Sequence, residues 1–242
     1  MTISSFEMTS RKKSMRTVLW DLDGTLADTS TLHYHAWQRT MDTFGESYSF
    51  AEFEAGFGRN NRSILSEKFR IEPDAPRVSE IADFKEAMVR QLLPETELQL
   101  LPGVAASLAL LAAVGVHQAI SSSGPMANIV AFVNKLDIGD YFLGILSGAT
   151  MPRGKPHPDI FLNSAAAIGV VPADCIVVED SVHGIEGARR AGMASIAVGA
   201  LATSTDLAAC LAAVAGPTCH AAPTLAELEW ATWENLWIHQ GT

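Results

Sequence analysis

The chain has 242 residues, 48% of them apolar, and a formal charge of −10 at neutral pH. That apolar share suits one large core, or a core with a smaller insert, and is too high for a disordered chain. The negative balance argues against a nucleic-acid partner, whose phosphates require a basic surface, but leaves room for a small anion held by a few converging cations.

Residues 1–15 are polar, carry Arg11, Lys12 and Lys13, and lack the apolar stretch of a secretory signal. They read as a flexible N-terminal extension. The run Thr17-Val18-Leu19-Trp20 then predicts a buried strand, and it leads into Asp21-Leu22-Asp23-Gly24-Thr25. Carboxylates two residues apart lie on one side of an extended segment, where a proton or a cation must relieve their repulsion. An aspartate at the carboxyl end of such a strand is also a competent nucleophile toward phosphorus. The bland alternative is a solvated Asp-Gly turn.

From about Leu32 to about Glu97 no convincing strand appears, only amphipathic helical patterns over 33–44, 61–69 and 78–93. This reads as a helical insert (31–98) with hinges near Thr29 and Leu98, set into an α/β core formed by 16–30 and 99–228. Core strands are expected over 116–120, 144–146, 176–178 and 195–198, with helices over 105–114, 126–136, 158–168 and 184–191. Strand and helix in alternation imply a parallel, doubly wound sheet with helices on both faces. The stretch 201–222 is alanine-heavy. In the terminal segment, 229–242, Trp230, Trp233 and Trp237 stand at helical spacing and are expected to pack a last helix onto the core.

Three further segments follow predicted strands and carry chemistry. Ser121-Ser122-Ser123-Gly124 offers hydroxyls and backbone N–H groups at a helix start, a suitable cradle for a phosphate oxygen, or simply a cap. Lys155, between Gly154 and Pro156, is a poor structural choice and a good fixed positive charge. The spacing from Gly148 to Gly154 and Pro156 at the Ser/Thr position exclude a P-loop. Glu179-Asp180 ends an apolar strand, where adjacent acids need a cation, and Mg²⁺ is the natural candidate. Cys175, Cys210 and Cys219 are odd in number and lack C-x-x-C spacing, which disfavours a disulfide framework or zinc site; Cys175 reads as a small core residue. No apolar run is long enough to span a bilayer, and a soluble cytoplasmic protein is expected.

These four segments, in this order, resemble the signature of the haloacid dehalogenase superfamily. The resemblance implies a Rossmann-like core with a helical cap inserted after the first strand. It also implies Asp21 as nucleophile, Asp23 as general acid/base, and Ser121, Ser122 and Lys155 as phosphate ligands. Mg²⁺ would be held by the Asp21 carboxylate, the Asp23 main-chain carbonyl, Asp180 and Glu179. Within the superfamily the chain is similar to the β-phosphoglucomutase-like group, through Asp28-Thr29, His33 and Trp37 at i, i+4, Gly56-Phe57-Gly58-Arg59, and Lys85. By that resemblance Arg59 grips a distal charged group of the substrate, while His33 and Lys85 line the mouth and Trp37 joins them at the substrate; the lesser reading makes His33 and Trp37 a packed helix face. Mutases of the group carry a basic residue and an amide after the serine segment, where this chain has Gly124 and Pro125. The expected activity is therefore hydrolysis of a small phosphorylated metabolite. A β-phosphoglucomutase-type isomerase is the second reading and a non-catalytic binding module a distant third.

Overall fold

The computed structural model describes residues 15–56 and 61–238. Six strands, all parallel, form one sheet: β1 (Thr17–Trp20), β2 (His117–Ser122), β3 (Gly144–Ser147), β4 (Cys175–Glu179), β5 (Ala194–Val198) and β6 (Cys219–Ala222). Their spatial order is β3-β2-β1-β4-β5-β6. β1 pairs with β2 on one side and β4 on the other, from Thr17 opposite His117 and Cys175 to Trp20 opposite Ile120 and Val178. The order reverses between β1 and β4, and the carboxyl ends of strands at such a switch point are where open α/β sheets bind ligands.

Side chains alternate between the sheet faces with period two. Val18, Trp20, Ile120, Ile176 and Val178 belong to one apolar cluster, closed by α5 (Val104–Ala113), α6 (Met126–Leu136) and α10 (Trp230–Ile238). Leu19, Ala119, Cys175 and Val177 face the other way, under α7 (Asp159–Ala167) and α8 (Val182–Arg190). Each such buried aliphatic side chain contributes about 1.5–3 kcal/mol. The tryptophans at the end of the chain pack as expected: Trp233 is fully buried 6.0 Å from the Trp20 ring, and the Trp237 indole donates to the Asp174 carbonyl at 2.9 Å.

Between β1 and β2 lies a helical cap made of α1 (Ser30–Thr43), α2 (Phe50–Gly56), α3 (Asn61–Phe69) and α4 (Pro76–Leu92). Among the described residues, 32–97 contains no strand. The cap has its own apolar cluster of Trp37, Met41, Tyr48, Phe53, Ile64, Leu65, Val78 and Ile81. Leu32, Ala36, Val89 and Leu92 join the core cluster instead and seat the cap on the sheet. Three elements depart from expectation: α2, β6 and α9 (Thr205–Ala213). Of residues 1–15 only Met15 is described. Among the described residues no helix is long and apolar enough to cross a membrane.

Candidate active site

Asp21 is the first residue beyond β1, and its N–H donates to the Val178 carbonyl at 3.0 Å, tying it to β4. Lys155 arrives from the β3–α7 loop, which Arg153 braces by donating twice to the Asp159 carboxylate, at 3.0 and 2.8 Å. The Lys155 ammonium donates to Asp21 Oδ1 at 2.5 Å and also to Glu179 Oε1. The other Glu179 oxygen accepts from the Ser181 N–H at 3.0 Å and the Ser181 hydroxyl at 2.8 Å. Ser181 Oγ in turn caps α8 by accepting from the Gly184 N–H at 3.0 Å. Asp180 accepts a hydrogen bond from Thr25 Oγ1 at 3.3 Å.

Two glycines make this crowding possible. Gly24 has φ +81°, and a Cβ there would fall 2.0 Å from Asp180 Oδ2; a Cβ on Gly184 would fall 1.9 Å from the Glu179 carboxyl carbon. Both lack a side chain because a carboxylate occupies its place.

Oxygens of Asp21, Glu179 and Asp180 all lie within 4.8 Å of one another. Burial pushes the Asp21 carboxyl well above its ordinary range; Lys155 opposes this, and the neighbouring acids reinforce it. Burial and the Glu179 charge raise Asp180 to about 7. Were all three carboxylates ionised, one ammonium would leave two negative charges uncompensated, so this all-oxygen donor set must hold either protons or a cation. A hard divalent cation such as Mg²⁺ fits that set in both charge and ligand type.

Asp23 points toward the cap. Its Oδ1 accepts from the Thr29 hydroxyl at 2.6 Å and lies 3.4 Å from His33 Nε2. Burial alone would raise this carboxyl, but the His33 contact, the Thr29 hydrogen bond and the Lys85 charge together hold it below its ordinary value. His33 Nδ1 is 2.9 Å from the Lys85 ammonium, which donates to Glu86 Oε1 at 2.8 Å and sits 5.3 Å from the Trp37 ring centre. Lys85 is only 3% exposed, so it does not line an open mouth as expected; it is the second link of a buried chain behind Asp23. Trp37 is buried in the cap core, with the Lys85 ammonium over its ring.

The two serines part company. Ser121 shares the Ala119 side of β2, one residue past the Trp20–Ile120 pair and so next to Asp21, and its hydroxyl pairs with Ser164 Oγ on α7 at 2.7 Å. The pleat turns Ser122 to the opposite face. Its hydroxyl accepts from the Gly124 N–H at 3.1 Å, and a Cβ on Gly124 would lie 3.4 Å from Ser122 Oγ, 3.9 Å from Ile129 and 4.0 Å from Asp23 Oδ2. Arg59 lies outside the described residues. Thr25, Glu86, Asn61, Arg90 and Asn128 carry much of the polar framework and were not singled out from sequence. Only Thr25 had a local signal, as the last residue of the Asp21–Thr25 motif.

Residues 18–198 match the family model for haloacid dehalogenase-like hydrolases. A phosphorylated carbohydrates phosphatase of Thermotoga maritima is 29% identical, over 75% of this chain and 84% of its own. A β-phosphoglucomutase of Bacillus subtilis is 32% identical, over 76% of this chain and 84% of its own. The crystal structure of a family IA, variant 3 hydrolase from Entamoeba histolytica superposes with a TM-score of 0.79 at 25% identity, covering 93% of this chain and 100% of that one. With the Asp21–Lys155–Glu179–Asp180 cluster at the switch point of a capped parallel sheet, these likenesses place the chain among the haloacid dehalogenase-like hydrolases.

Proposed function

We propose that the protein is a Mg²⁺-dependent phosphatase of small phosphorylated carbohydrates that works through an aspartyl-phosphate on Asp21. The observation that carries this reading is the Lys155 bridge between Asp21 and Glu179, inside a cluster of three carboxylates whose oxygens lie within 4.8 Å of one another. The Asp21 and Asp180 carboxylates, with Glu179 and the Asp23 carbonyl, would hold the ion. When bound, Mg²⁺ offsets the repulsion between the Asp21 carboxylate and a phosphate and polarises the phosphoryl group.

The remaining roles belong to the chain. Lys155 holds Asp21 in place and offers its charge to a phosphate oxygen; Ser121, Ser122 and the backbone beyond them complete the cradle. Asp23, steadied by Thr29 and His33, relays the protons: it must first take one up, gives it to the leaving alcohol, and then takes another from the attacking water. Arg59 would grip a charged group at the far end of the substrate. The protein is taken to act in the cytoplasm, and the cap is taken to span 31–98.

A panel of sugar phosphates, phosphoglycolate and nucleoside monophosphates, assayed for phosphate release with Mg²⁺ and with chelator, tests the reading. Metal-dependent release from at least one carbohydrate phosphate is expected, and Asp21→Asn should abolish it while leaving the folded chain intact. Substantial turnover by folded Asp21→Asn would sink the covalent route.

The likeness to a β-phosphoglucomutase favours a second reading, in which a sugar hydroxyl rather than water attacks the phospho-aspartate. Gly124 and Pro125 offer no cation to hold the second phosphate of a bisphosphate. With β-glucose 1-phosphate, steady phosphate release without a 1,6-bisphosphate primer is expected. Primer-dependent formation of glucose 6-phosphate with little free phosphate would promote the mutase.

A further inference from the structure

Behind Asp23 the polar chain does not stop at Lys85. It crosses from the cap into the core. Glu86 on α4 is held on Oε1 by Lys85 and by the Asn61 amide at 2.7 Å, and on Oε2 by the amide of Asn128 at 2.5 Å. Asn128 belongs to α6 of the core and is 2% exposed. Its carbonyl accepts from Arg90 Nη1 at 2.5 Å, while Arg90 also donates to the Glu86 carbonyl at 3.0 Å. A carboxylate only accepts and a guanidinium only donates, so one orientation of the Asn128 amide serves both. Burial and hydrogen-bond polarity together make this a built contact between the two parts of the fold.

Resting on the phosphatase reading for its catalytic consequence, we propose that Asn128 is a latch. By seating Glu86 and Arg90 on the core it fixes the cap against the sheet, and through Lys85 and His33 it positions Asp23 for proton transfer. Asn128 touches neither Asp23 nor the phosphate cradle. It is a positioning residue, and its effect should follow how much the reaction needs an acid.

Polarity dictates the test. In Asn128→Asp the new carboxylate can still accept from Arg90 but repels Glu86. Adding Glu86→Gln restores the contact, because the Gln amide donates to the carboxylate while its carbonyl still accepts from Lys85 and Asn61. Misplacing the acid should lower kcat on a sugar phosphate, whose alkoxide leaving group needs a proton, by about ten- to a hundredfold. Hydrolysis of p-nitrophenyl phosphate, whose leaving group needs none, should fall far less. Asn128→Ala should show the same split in milder form, and Asn128→Asp/Glu86→Gln should recover most of the lost sugar-phosphate turnover. Hydrogen exchange, read independently of activity, should rise in α4 of Asn128→Asp and return toward wild type in the double variant. Parallel losses on both substrates, no recovery in the double variant, or unchanged exchange would overturn the latch. If the wild type hydrolyses no member of the panel, the phosphatase reading fails and the exchange measurement alone decides whether the latch exists.

Discussion

At Lys155 burial and charge pull in opposite directions. Burial disfavours the ammonium, but the Asp21 and Glu179 carboxylates outweigh it and hold the group above its ordinary value. Removing one partner of such a buried arrangement leaves like charges facing each other without a counterion. Lys155→Ala should therefore cost roughly 3–5 kcal/mol in metal-free protein at pH 8, read by urea unfolding. The loss should shrink at pH 5, where the abandoned carboxylates take up protons, and added Mg²⁺ should recover part of it at pH 8. An unchanged midpoint at pH 8 would show that the bridge contributes nothing to the fold. The partners of this charge were legible in sequence because each sits at the carboxyl end of an apolar strand, where an acid has no structural excuse. Glu86 and Asn128 were not legible: they meet across 42 residues of chain, and neither stands in a local pattern that predicts the other.

Among the secondary-structure elements, α8 shows how a helix start can be shaped by the side chain beneath it. Its first turn lies so close to β4 that the Glu179 carboxylate fills the volume a Cβ on Gly184 would need. Gly184→Ala should lower stability by about 1–3 kcal/mol and weaken Mg²⁺ binding, since Glu179 must shift to make room. Gly139→Ala is the control, because its Cβ would meet only Val133 at an ordinary 3.6 Å. Equal melting temperatures for the two variants would mean that the carboxylate has slack. Strands β1, β3, β4 and β5 could be read from the sequence as short apolar runs, and β2 from Val116, Ala119 and Ile120, because both faces of the sheet are covered. β6 could not, because Cys219-His220-Ala221-Ala222 has neither alternation nor β-branched residues, and it becomes a strand by pairing at the sheet edge with β5. The α9 helix hid in an alanine-heavy stretch. Its one local signal was Ser204, whose hydroxyl accepts from the Leu207 N–H at 3.1 Å and caps the first turn.

For the molecule as a whole, the acidic cluster links folding, pH and metal. Asp180 titrates near 7 in the folded chain against an ordinary 3.8, and Asp21 is raised as well. Between those values the folded state binds more protons than the unfolded chain, so metal-free stability should fall as pH rises from about 4 to about 7. A cation competes with those protons, and Mg²⁺ should therefore stabilise the protein little at pH 5.5 and substantially at pH 8. The formal charge of −10 will attract any divalent ion loosely, so a rise in melting temperature alone proves no site. Two comparisons isolate the cluster: Mg²⁺ against monovalent salt at matched ionic strength, and wild type against Asp180→Asn. Asp180→Asn should melt higher than wild type in chelator at pH 8, because one buried charge is gone, yet gain much less from Mg²⁺. If it gained as much as wild type, or if the wild-type gain were the same at pH 5.5 and pH 8, the ion would not be binding between Asp21, Glu179 and Asp180, and the metal-dependent route would lose its physical basis.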